Sequence, residues 1–446
     1  MNLDKVFNPK SVAIIGASQK AFTVGFGLSY NLFEGKKYRK IYFVNPFQKQ
    51  IFKNKTYASV KDIKEKIDMA VIAVPAAIVG KVSVECVEKK VGSVVIISAG
   101  FSEIGKEGKI LEERIKNIFE AANIPLIGPN CLGIIRPSIQ FNATFAPSTP
   151  KKGDIAFISQ SGALIDSVIS QTLKENFGFS LIVSYGNEAG VTLPEFLEWA
   201  GRDKETKVIV LYIEGLKDGR KFFETAKKVS KKKPIIVLKG GKSKKTLKTV
   251  ASHTGALAGN NQIYSAMFKQ AGIGQVDSLE ELFDAAKVLS WQPKCKNGIA
   301  VITNGGGAGI LTADYCDKFN INLPSLSSFT KKMIEKSGKM HPAWSKDNPI
   351  DIVGDALSDR YAIVIDAALK QKNINGLIVI QSAQIMTESK KNAQAIIQAK
   401  KKYPSKPIIA VFMEDNKEVS QLLEKNNIPN YSDPLRAVRS FKELIN

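Results

Sequence analysis

Short apolar segments alternate with longer helical patterns along the whole of this 446-residue chain. Parallel sheets covered by helices produce this alternation, because every crossover needs a helix and each strand is buried on both faces. In the first block the apolar segments end at small or turn-forming residues. These segments are Val12–Ile15, Ile41–Val44, Met69–Val74, Val94–Ile97 and Leu126–Ile127. The pattern predicts an α/β fold, in which ligands bind at the carboxyl ends of the strands.

The second and third blocks of the chain resemble each other. Ile155–Gly162 matches Ile299–Gly306, and Lys233–Val237 matches Lys406–Ala410. Gly272-Ile273 likewise parallels Asn427-Ile428, and each pair leads into a helix. The offset is 173 residues at the Lys-Pro segment and 155 at this last pair, so 173 − 155 = 18 residues are present in the second block and missing from the third. These residues include His253. The duplication predicts two similar flavodoxin-like domains, and a loop added to a complete scaffold is more often functional than structural.

Length and pattern together predict three domains. The first spans residues 1–137, the second 150–292 and the third 293–446. Residues 138–152 are rich in Ser, Thr, Pro and Lys, and this composition is typical of a linker.

Composition limits the partners. The net charge of +22 is compatible with nucleic acid, an anionic membrane surface or an anionic small molecule. Only eight of the 64 basic residues are Arg, the usual reader of bases and phosphates, which argues against nucleic acid. The four cysteines form no paired motif, so neither a disulfide framework nor a metal site is predicted. We expect a cytoplasmic protein, because the chain shows neither a signal peptide nor an apolar run of membrane-spanning length.

The most unusual segment contains His253. Residues 251–259 are small and glycine-rich, and residues 227–248 carry ten lysines and no carboxylate. Imidazole is nucleophilic near neutral pH, and basic surroundings favour an anion. The segment therefore indicates a histidine that carries a phosphoryl group. The alternative is a glycine-rich surface loop in which the histidine is incidental.

The turn after the first apolar segment, Gly16–Gln19, is the expected place for a phosphate-bearing ligand. It lacks the Gly-x-Gly-x-x-Gly pattern of NAD sites, and the second segment ends in Asn45–Pro46 rather than in an acid. The ADP part of coenzyme A fits this turn better than NAD. A purely structural turn is the alternative.

Two glycine-rich turns begin equivalent helices in the duplicated blocks. They are Ser159–Ala163 and Asn304–Gly309, and free N–H groups at a helix start bind anions. Two such starts directed at one point would hold a phosphate. Glu214 follows the apolar segment Val208–Ile213, so its carboxylate could orient the His253 ring. The alternative is that Glu214 is a solvated loop residue. Two further candidates are interpreted without a chemical role: His341 as a loop residue and Cys131 as a packing residue.

Several segments in a fixed order resemble the alpha subunit of NDP-forming acyl-CoA synthetases (acetate–CoA ligase, ADP-forming), relatives of the succinyl-CoA synthetase alpha subunit. The segments are Asn8–Ser18, Val74–Ala76, Gly128–Gly133, Ile158–Ala163, Ser184–Asn187, Tyr212–Gly215, Ser252–Gly255, Asn304–Gly307 and Asn348–Asp351. Met340–Trp344 departs from the family pattern. The resemblance implies an N-terminal Rossmann-like CoA-binding domain followed by two flavodoxin-like parallel-sheet domains.

The resemblance also implies roles for individual residues. His253 is the transient phosphohistidine and Glu214 its supporting carboxylate. Phosphate is expected at Ser159, Ser161, Gly162, Gly305, Gly306 and Gly307. Coenzyme A is expected at Gly16, Ala17, Ser18, Gln19, Lys20, Val74, Pro75, Ser98, Ala99 and Gly100. The family's nucleotide site is missing from the sequence, which implies a separate ATP-grasp beta subunit in an α2β2 assembly, with Mg2+ accompanying ADP or ATP on that partner.

The implied reaction converts acyl-CoA, ADP and phosphate into acid, CoA and ATP. Phosphate attacks the thioester to give an acyl phosphate, and His253 then takes the phosphoryl group with help from Glu214. Splitting the transfer replaces one three-party reaction with simpler displacements. Two other functions stay open: a CoA-binding regulatory or scaffold protein without turnover, and an acyl-CoA transferase that uses no phosphate.

Overall fold

The computed structural model describes residues 3–172, 177–243, 246 and 261–445. Strands and helices alternate through these ranges, which confirms the predicted α/β class. The chain forms two compact units, Met1–Asp277 and Ser278–Asn446. None of the helices in the described ranges combines the length and apolar character needed to cross a membrane.

The first sheet of the N-terminal unit has seven strands. They are β1 Ser11–Ile15, β2 Lys40–Val44, β3 Gln50–Ile51, β4 Asn54–Tyr57, β5 Met69–Ile72, β6 Val94–Ile96 and β7 Leu126–Ile127. Their order is β3-β4-β2-β1-β5-β6-β7, and only the β3–β4 pair is antiparallel. Strand β2 lies on one side of β1 and β5 on the other, so the connections after β1 and after the strands beside it run in opposite directions. Such a reversal of strand order leaves a crevice at the carboxyl end of β1.

Four helices accompany this sheet: α1 Asp4–Phe7, α2 Val24–Glu34, α3 Ala76–Glu88 and α4 Lys106–Ala121. The α2 helix begins after Thr23, whose side-chain oxygen accepts a hydrogen bond from the N–H of Phe26. The central strands β1, β5 and β6 are almost wholly apolar and buried, as expected for a sheet covered on both faces. Strands β3 and β4, at one edge, are more polar and partly exposed.

The second sheet of this unit also has seven strands. They are β8 Gly133–Arg136, β9 Phe141–Thr144, β10 Lys152–Ser159, β11 Phe179–Ser184, β12 Val208–Ile213, β13 Ile235–Lys239 and β14 Gly274–Val276. Their order is β14-β13-β12-β10-β11-β8-β9, with β8 antiparallel to both of its neighbours. The accompanying helices are α5 Gly162–Thr172, α6 Leu193–Arg202, α7 Gly219–Ser230 and α8 Asn261–Gln270.

The prediction of a linker at residues 138–152 is wrong for its first part. All four residues of β9 are buried, and β9 pairs with β8 at the edge of the second sheet. The first domain also holds this segment, because Asn31 of α2 donates hydrogen bonds to the carbonyl oxygens of Thr144 and Ala146 at 2.9 and 2.8 Å. Tertiary pairing has overridden a composition that is typical of a loop.

The C-terminal unit contains one parallel sheet. Its strands are β15 Ala300–Thr303, β16 Ile350–Asp351, β17 Leu377–Gln381, β18 Ile408–Phe412 and β19 Asn430–Tyr431. Its helices are α9 Leu279–Trp291, α10 Gly306–Lys318, α11 Ser328–Glu335, α12 Ser358–Lys370, α13 Ser389–Lys402, α14 Lys417–Lys425 and α15 Pro434–Lys442. Helix α9 is joined to α15 by a bidentate ion pair between Asp284 and Arg436, both contacts at 2.8 Å.

The duplicated blocks share their strand order. The third sheet runs β16-β15-β17-β18-β19, and the corresponding strands of the second sheet run β11-β10-β12-β13-β14. The strands that match in sequence, β10 with β15 and β13 with β18, occupy equivalent positions. The predicted repetition of a flavodoxin-like arrangement is thus present in the topology, and β8 and β9 extend only the first copy.

Candidate functional site

Glycine is required at the first turn. Gly16 has a φ of +93°, and a Cβ placed there would lie 2.2 Å from the carbonyl oxygen of Ala73. A Cβ on Gly25, at the start of α2, would lie equally close to the carbonyl oxygen of Gly16. The turn, the neighbouring strand and the helix therefore approach one another at distances that only glycine permits.

The backbone of this turn is largely satisfied inside the protein. The N–H of Gly16 donates to the carbonyl of Val44, and the N–H of Ser18 donates to the hydroxyl of Ser29. Asn45, which stands where NAD-binding proteins carry an acid, donates its amide to the turn at 2.8 Å from the carbonyl oxygen of Ala17. The turn is thus held in place before any ligand binds.

The loops after β5 and β6 meet beside this turn. Ser98 donates its hydroxyl to the carbonyl of Val74 at 2.5 Å, and the N–H of Asn130 donates to the carbonyl of Ser98 at 2.9 Å. Gly100 has a φ of +104°, and its N–H donates to the Glu103 carboxylate at 2.6 Å. The predicted CoA-contacting residues 74 and 98–100 therefore form one connected loop pair.

Asn187 joins this loop pair to the second sheet. Its amide nitrogen donates to the carboxylates of Glu103 at 2.7 Å and Glu112 at 2.8 Å. Burial favours the neutral form of Glu103, but the hydrogen bonds from Asn187 and Gly100 outweigh it and hold the Glu103 pKa below its ordinary value. This contact could not be predicted from sequence, because Asn187 and Glu103 lie 84 positions apart.

A hydroxyl shapes the start of α5. The Ser159 hydroxyl accepts a hydrogen bond from the N–H of Ser161 at 3.1 Å and donates to the carbonyl of the same residue at 2.8 Å. Thr303 makes the same two contacts with Gly305, both at 3.0 Å, before α10. The paired helix starts predicted from sequence therefore have the same local structure.

Gln160 connects the α5 start to the loop after β12. Its side-chain oxygen accepts hydrogen bonds from the N–H groups of Glu214 at 2.7 Å and Gly215 at 3.1 Å. In the C-terminal unit the side-chain oxygen of Asn304 likewise accepts from the N–H of Ser382 at 2.8 Å. An amide side chain at this position thus holds the adjacent loop in both copies.

Glu214 lies among tyrosines and a buried lysine. Burial raises the pKa of Tyr212 to about 12. The negative charge of Glu214 and a hydrogen bond between Tyr212 and Glu214 add to this shift. Lys239 donates to the backbone carbonyl of Glu214 at 2.9 Å, and burial lowers the pKa of Lys239 despite the attraction of Glu214. The backbone on both sides of Glu214 is therefore fixed by hydrogen bonds.

A cavity of about 570 Å³ opens between the first two sheets. It is lined by Val24, Ala73, Val74, Ile97, Ser98, Ala99, Asn130, Cys131, Leu132, Phe145, Gln160, Ser161, Gly162, Ala163, Asp166, Gly186 and Asn187. The structure thus brings three predicted CoA residues together with Ser161 and Gly162 of the predicted phosphate site. Gly16–Lys20, Pro75 and Gly100 are not part of this lining.

Other predicted residues lie elsewhere. His253 falls outside the described residues, and its role stays a prediction. Gly305–Gly307 belong to the C-terminal unit, so the meeting of the two helix starts at one phosphate stays a prediction too. His341 accepts a hydrogen bond from the N–H of Ala343 in an exposed loop. The Cys131 thiol is buried, which raises its pKa to about 12 and makes it a poor nucleophile.

Comparison with known proteins agrees with this geometry. Residues 10–137 match a CoA-binding domain model, and residues 152–289 match the succinyl-CoA ligase-like flavodoxin domain model. The chain is 41% identical over 441 residues to the alpha subunit of acetate–CoA ligase [ADP-forming] II from Pyrococcus furiosus, covering 97% of this chain and 95% of that subunit. The chain belongs to the ADP-forming acetate–CoA ligase family. The resemblance seen in the sequence is confirmed.

Other members of this family differ in length. Acetate–CoA ligase [ADP-forming] I of Archaeoglobus fulgidus is 40% identical over 447 residues, a match that spans 99% of this chain but 63% of that protein. A solved structure of acetyl-coenzyme A synthetase 1 from Candidatus Korarchaeum cryptofilum, in complex with phosphate and ADP, superimposes with a TM-score of 0.94 at 36% identity. That match covers 99% of this chain and 96% of the other. The chain therefore shares the α/β fold of that structure over nearly its whole length.

Proposed function

We propose that this protein is the alpha subunit of an ADP-forming acyl-CoA synthetase, which converts acyl-CoA, ADP and phosphate into acid, CoA and ATP. One observation carries the proposal: Val74, Ser98 and Ala99, from the CoA-binding domain, line the same cavity as Ser161 and Gly162 at the start of α5. A thioester and a phosphate bound at these two walls would be adjacent. Membership of the ADP-forming acetate–CoA ligase family supports the same assignment.

The first step is attack by a phosphate oxygen on the thioester carbonyl carbon. The C–S bond breaks, the electron pair leaves on the CoA sulfur, and an acyl phosphate is formed. The backbone N–H groups at the start of α5 favour the anion, since a helix N-terminus concentrates partial positive charge. Because residues of both sheets line the cavity, reactants bound there are held next to each other, which lowers the entropic cost of the step.

His253 performs the second step in this proposal. One of its ring nitrogens attacks phosphorus, and the P–O bond to the acyl group breaks, releasing the acid. Glu214 accepts a hydrogen bond from the other ring nitrogen and stabilises the charge that develops. The phosphoryl group then passes to an oxygen of ADP, which forms ATP and regenerates His253.

The nucleotide belongs to a partner in this proposal. An ATP-grasp beta subunit would supply the ADP site, and the complete enzyme would be an α2β2 assembly in the cytoplasm. Mg2+ bound with ADP or ATP on that subunit would neutralise the phosphate charge. The alpha-subunit relative from Pyrococcus furiosus supports a separate partner chain, and the longer Archaeoglobus relative leaves room for a further module within one chain.

The test is turnover by the chain coexpressed with its ATP-grasp partner. We expect acyl-CoA to yield free CoA and ATP only when both phosphate and ADP are present. Release of CoA without phosphate would favour an acyl-CoA transferase, and CoA binding without turnover would favour a regulatory protein. After incubation with MgATP, mass spectrometry should find acid-labile, base-stable phosphate on the peptide 251–259. Full activity of His253→Ala would reject the phosphohistidine step.

A further inference from the structure

One carboxylate in the cavity is not needed for the proposed reaction. Asp166, in the second turn of α5, lines the cavity together with Ser161. One oxygen of its carboxylate is buried and accepts no hydrogen bond from the described residues. Burial raises the Asp166 pKa, and no cation among the described residues contributes to this shift. A buried acceptor without a donor costs free energy and requires an explanation, such as a bound ligand.

The neighbouring polar groups already have partners. The side-chain oxygens of Gln160 and Ser161 accept hydrogen bonds from backbone N–H groups, and the side-chain oxygen of Asn187 accepts from the amide of Asn130. These oxygens form part of the cavity wall, and each already accepts a hydrogen bond from the protein. Asp166 differs from them, because it adds to the same wall a negative charge and a buried oxygen that accepts no hydrogen bond from the described residues.

The rest of the lining is suited to a hydrocarbon. Val74, Ile97, Leu132 and Phe145 contribute apolar side chains around the cavity. An apolar chain ending in a hydrogen-bond donor would complement both features of this wall. A chain ending in a methyl group would leave the carboxylate unsatisfied, and a chain ending in a second carboxylate would be repelled by it.

We infer that Asp166 selects the acyl substrate, favouring short acyl groups that carry a hydroxyl or ammonium donor over plain aliphatic and dicarboxylic acyl groups. The inference rests on the proposed function, which puts the acyl group in this cavity between the thioester and the phosphate. Asp166 is a specificity-determining residue in this scheme and takes no part in bond making. A hydroxyl and an ammonium group would both donate a hydrogen bond to the Asp166 carboxylate. The substrates below distinguish acyl groups that carry one from those that carry the other.

The test compares acyl-CoA substrates of matched size on the alpha–beta complex. 3-Hydroxypropionyl-CoA and β-alanyl-CoA carry donors, and butyryl-CoA replaces the donor by a methyl group. In malonyl-CoA the terminal carbon that bears the donor is itself a carboxylate. The set 4-hydroxybutyryl-CoA, pentanoyl-CoA and succinyl-CoA repeats the comparison one carbon longer. We expect kcat/KM for a donor-bearing substrate to exceed that of its methyl counterpart about tenfold or more in the wild-type enzyme.

The variants assign that preference to one side chain. Asp166→Leu should remove or reverse it while retaining turnover of the aliphatic substrate, and Asp166→Asn should raise kcat/KM for the dicarboxylic substrates. Glu198→Gln, which changes an exposed carboxylate on α6, should leave every ratio unchanged. Aliphatic preference in the wild-type enzyme, or equal ratios in the wild-type and Asp166→Leu enzymes, would overturn the inference while the proposed function stands. Absence of ATP formation with every substrate, acetyl-CoA included, would overturn both.

Discussion

The side-chain oxygen of Gln160 lies 2.7 Å from the backbone nitrogen of Glu214 and accepts its hydrogen bond. One residue thus connects the predicted phosphate site, where Ser159 and Ser161 flank it, to the carboxylate predicted to support the phosphohistidine. The sequence separation of 54 residues hides this connection. In the proposed mechanism, this hydrogen bond makes Gln160 a positioning residue for the second chemical step.

Replacing Gln160 by methionine should slow phosphorylation of His253. The side chain keeps its length but loses the acceptor, which leaves the N–H groups of Glu214 and Gly215 without it at a cost of about 1–3 kcal/mol for a buried donor. We expect the rate of phosphoryl incorporation from MgATP to fall about tenfold or more, with little change in the KM for acyl-CoA. An unchanged rate would show that the loop after β12 holds its position without Gln160.

Gly16→Ala should damage the CoA-binding domain. The added Cβ would meet the carbonyl oxygen of Ala73 at 2.2 Å, at a φ of +93°. We expect a loss of more than about 2 kcal/mol of stability and a clear rise in the KM for CoA. Gly80 in α3 is the matched control, because a Cβ there meets nothing within 4 Å. Gly80→Ala should stabilise its helix by about 0.5–1 kcal/mol and leave the KM for CoA unchanged.

Ser161→Ala should weaken phosphate binding more than it weakens the fold. The Ser161 hydroxyl accepts from the N–H of Leu164 at 3.4 Å, so its loss removes a helix cap worth about 1 kcal/mol. Ser327→Ala removes a comparable cap from α11, where the hydroxyl accepts from the N–H of Thr330 at 3.1 Å. We expect the two variants to melt at similar temperatures, with a raised KM for phosphate only in Ser161→Ala. Equal KM values would remove the Ser161 hydroxyl from the phosphate site.

Glu103→Gln should lower stability at neutral pH and not in acid. Because hydrogen bonds hold the folded-state pKa of Glu103 below its ordinary value, the carboxylate stabilises the fold fully above the unfolded pKa of about 4.3 and loses this effect as the pH falls through the lower folded value. Partial exposure limits the effect to about 1 kcal/mol. The melting temperatures of the two proteins should differ at pH 7 and converge near pH 3. Glu113→Gln, at an exposed position of α4, should show no such pH-dependent difference.

The four cysteines should resist alkylation in the folded protein. Burial raises the pKa to about 12 for Cys86, Cys131 and Cys316 and to about 11 for Cys295, so almost no thiolate exists at pH 8. Iodoacetamide should modify all four thiols in denaturant and leave activity intact under native conditions. Rapid native labelling of Cys131, which lines the cavity, would contradict its assignment as a packing residue.

The strands were predictable because burial on both faces makes them apolar and distinct from their surroundings. The predicted segment Val12–Ile15 lies within β1, and the match between Ile155–Gly162 and Ile299–Gly306 correctly indicated two sheets with the same strand order. β9 was missed because its residues, Phe-Asn-Ala-Thr, lie in a polar stretch and form a strand only by pairing with β8.

The site was only partly predictable. Glycine-rich turns after strands pointed to Ser161 and Gly162, which line the cavity, and to Gly16, which does not. Such turns stand out in a sequence because the required backbone geometry restricts the amino acid. Asn187 and Asp166 left no such signal. Their positions depend on how two sheets pack together, and an Asn or an Asp within a helix or loop looks the same in sequence whether it faces a cavity or solvent.

Residues 139–146 contact both of the first two domains, which affects how truncated fragments of this protein should be designed. Arg39 donates to the carbonyl oxygens of Ile139 and Gln140, and Asn31 holds the carbonyl oxygens of Thr144 and Ala146, while β8 and β9 complete the neighbouring sheet. A fragment that ends before residue 139 would lose the backbone carbonyls that Arg39 and Asn31 bind. A fragment that begins after residue 146 would lose strands β8 and β9 from the edge of the second sheet. The first two domains are best cloned, expressed and exchanged between relatives as a single piece.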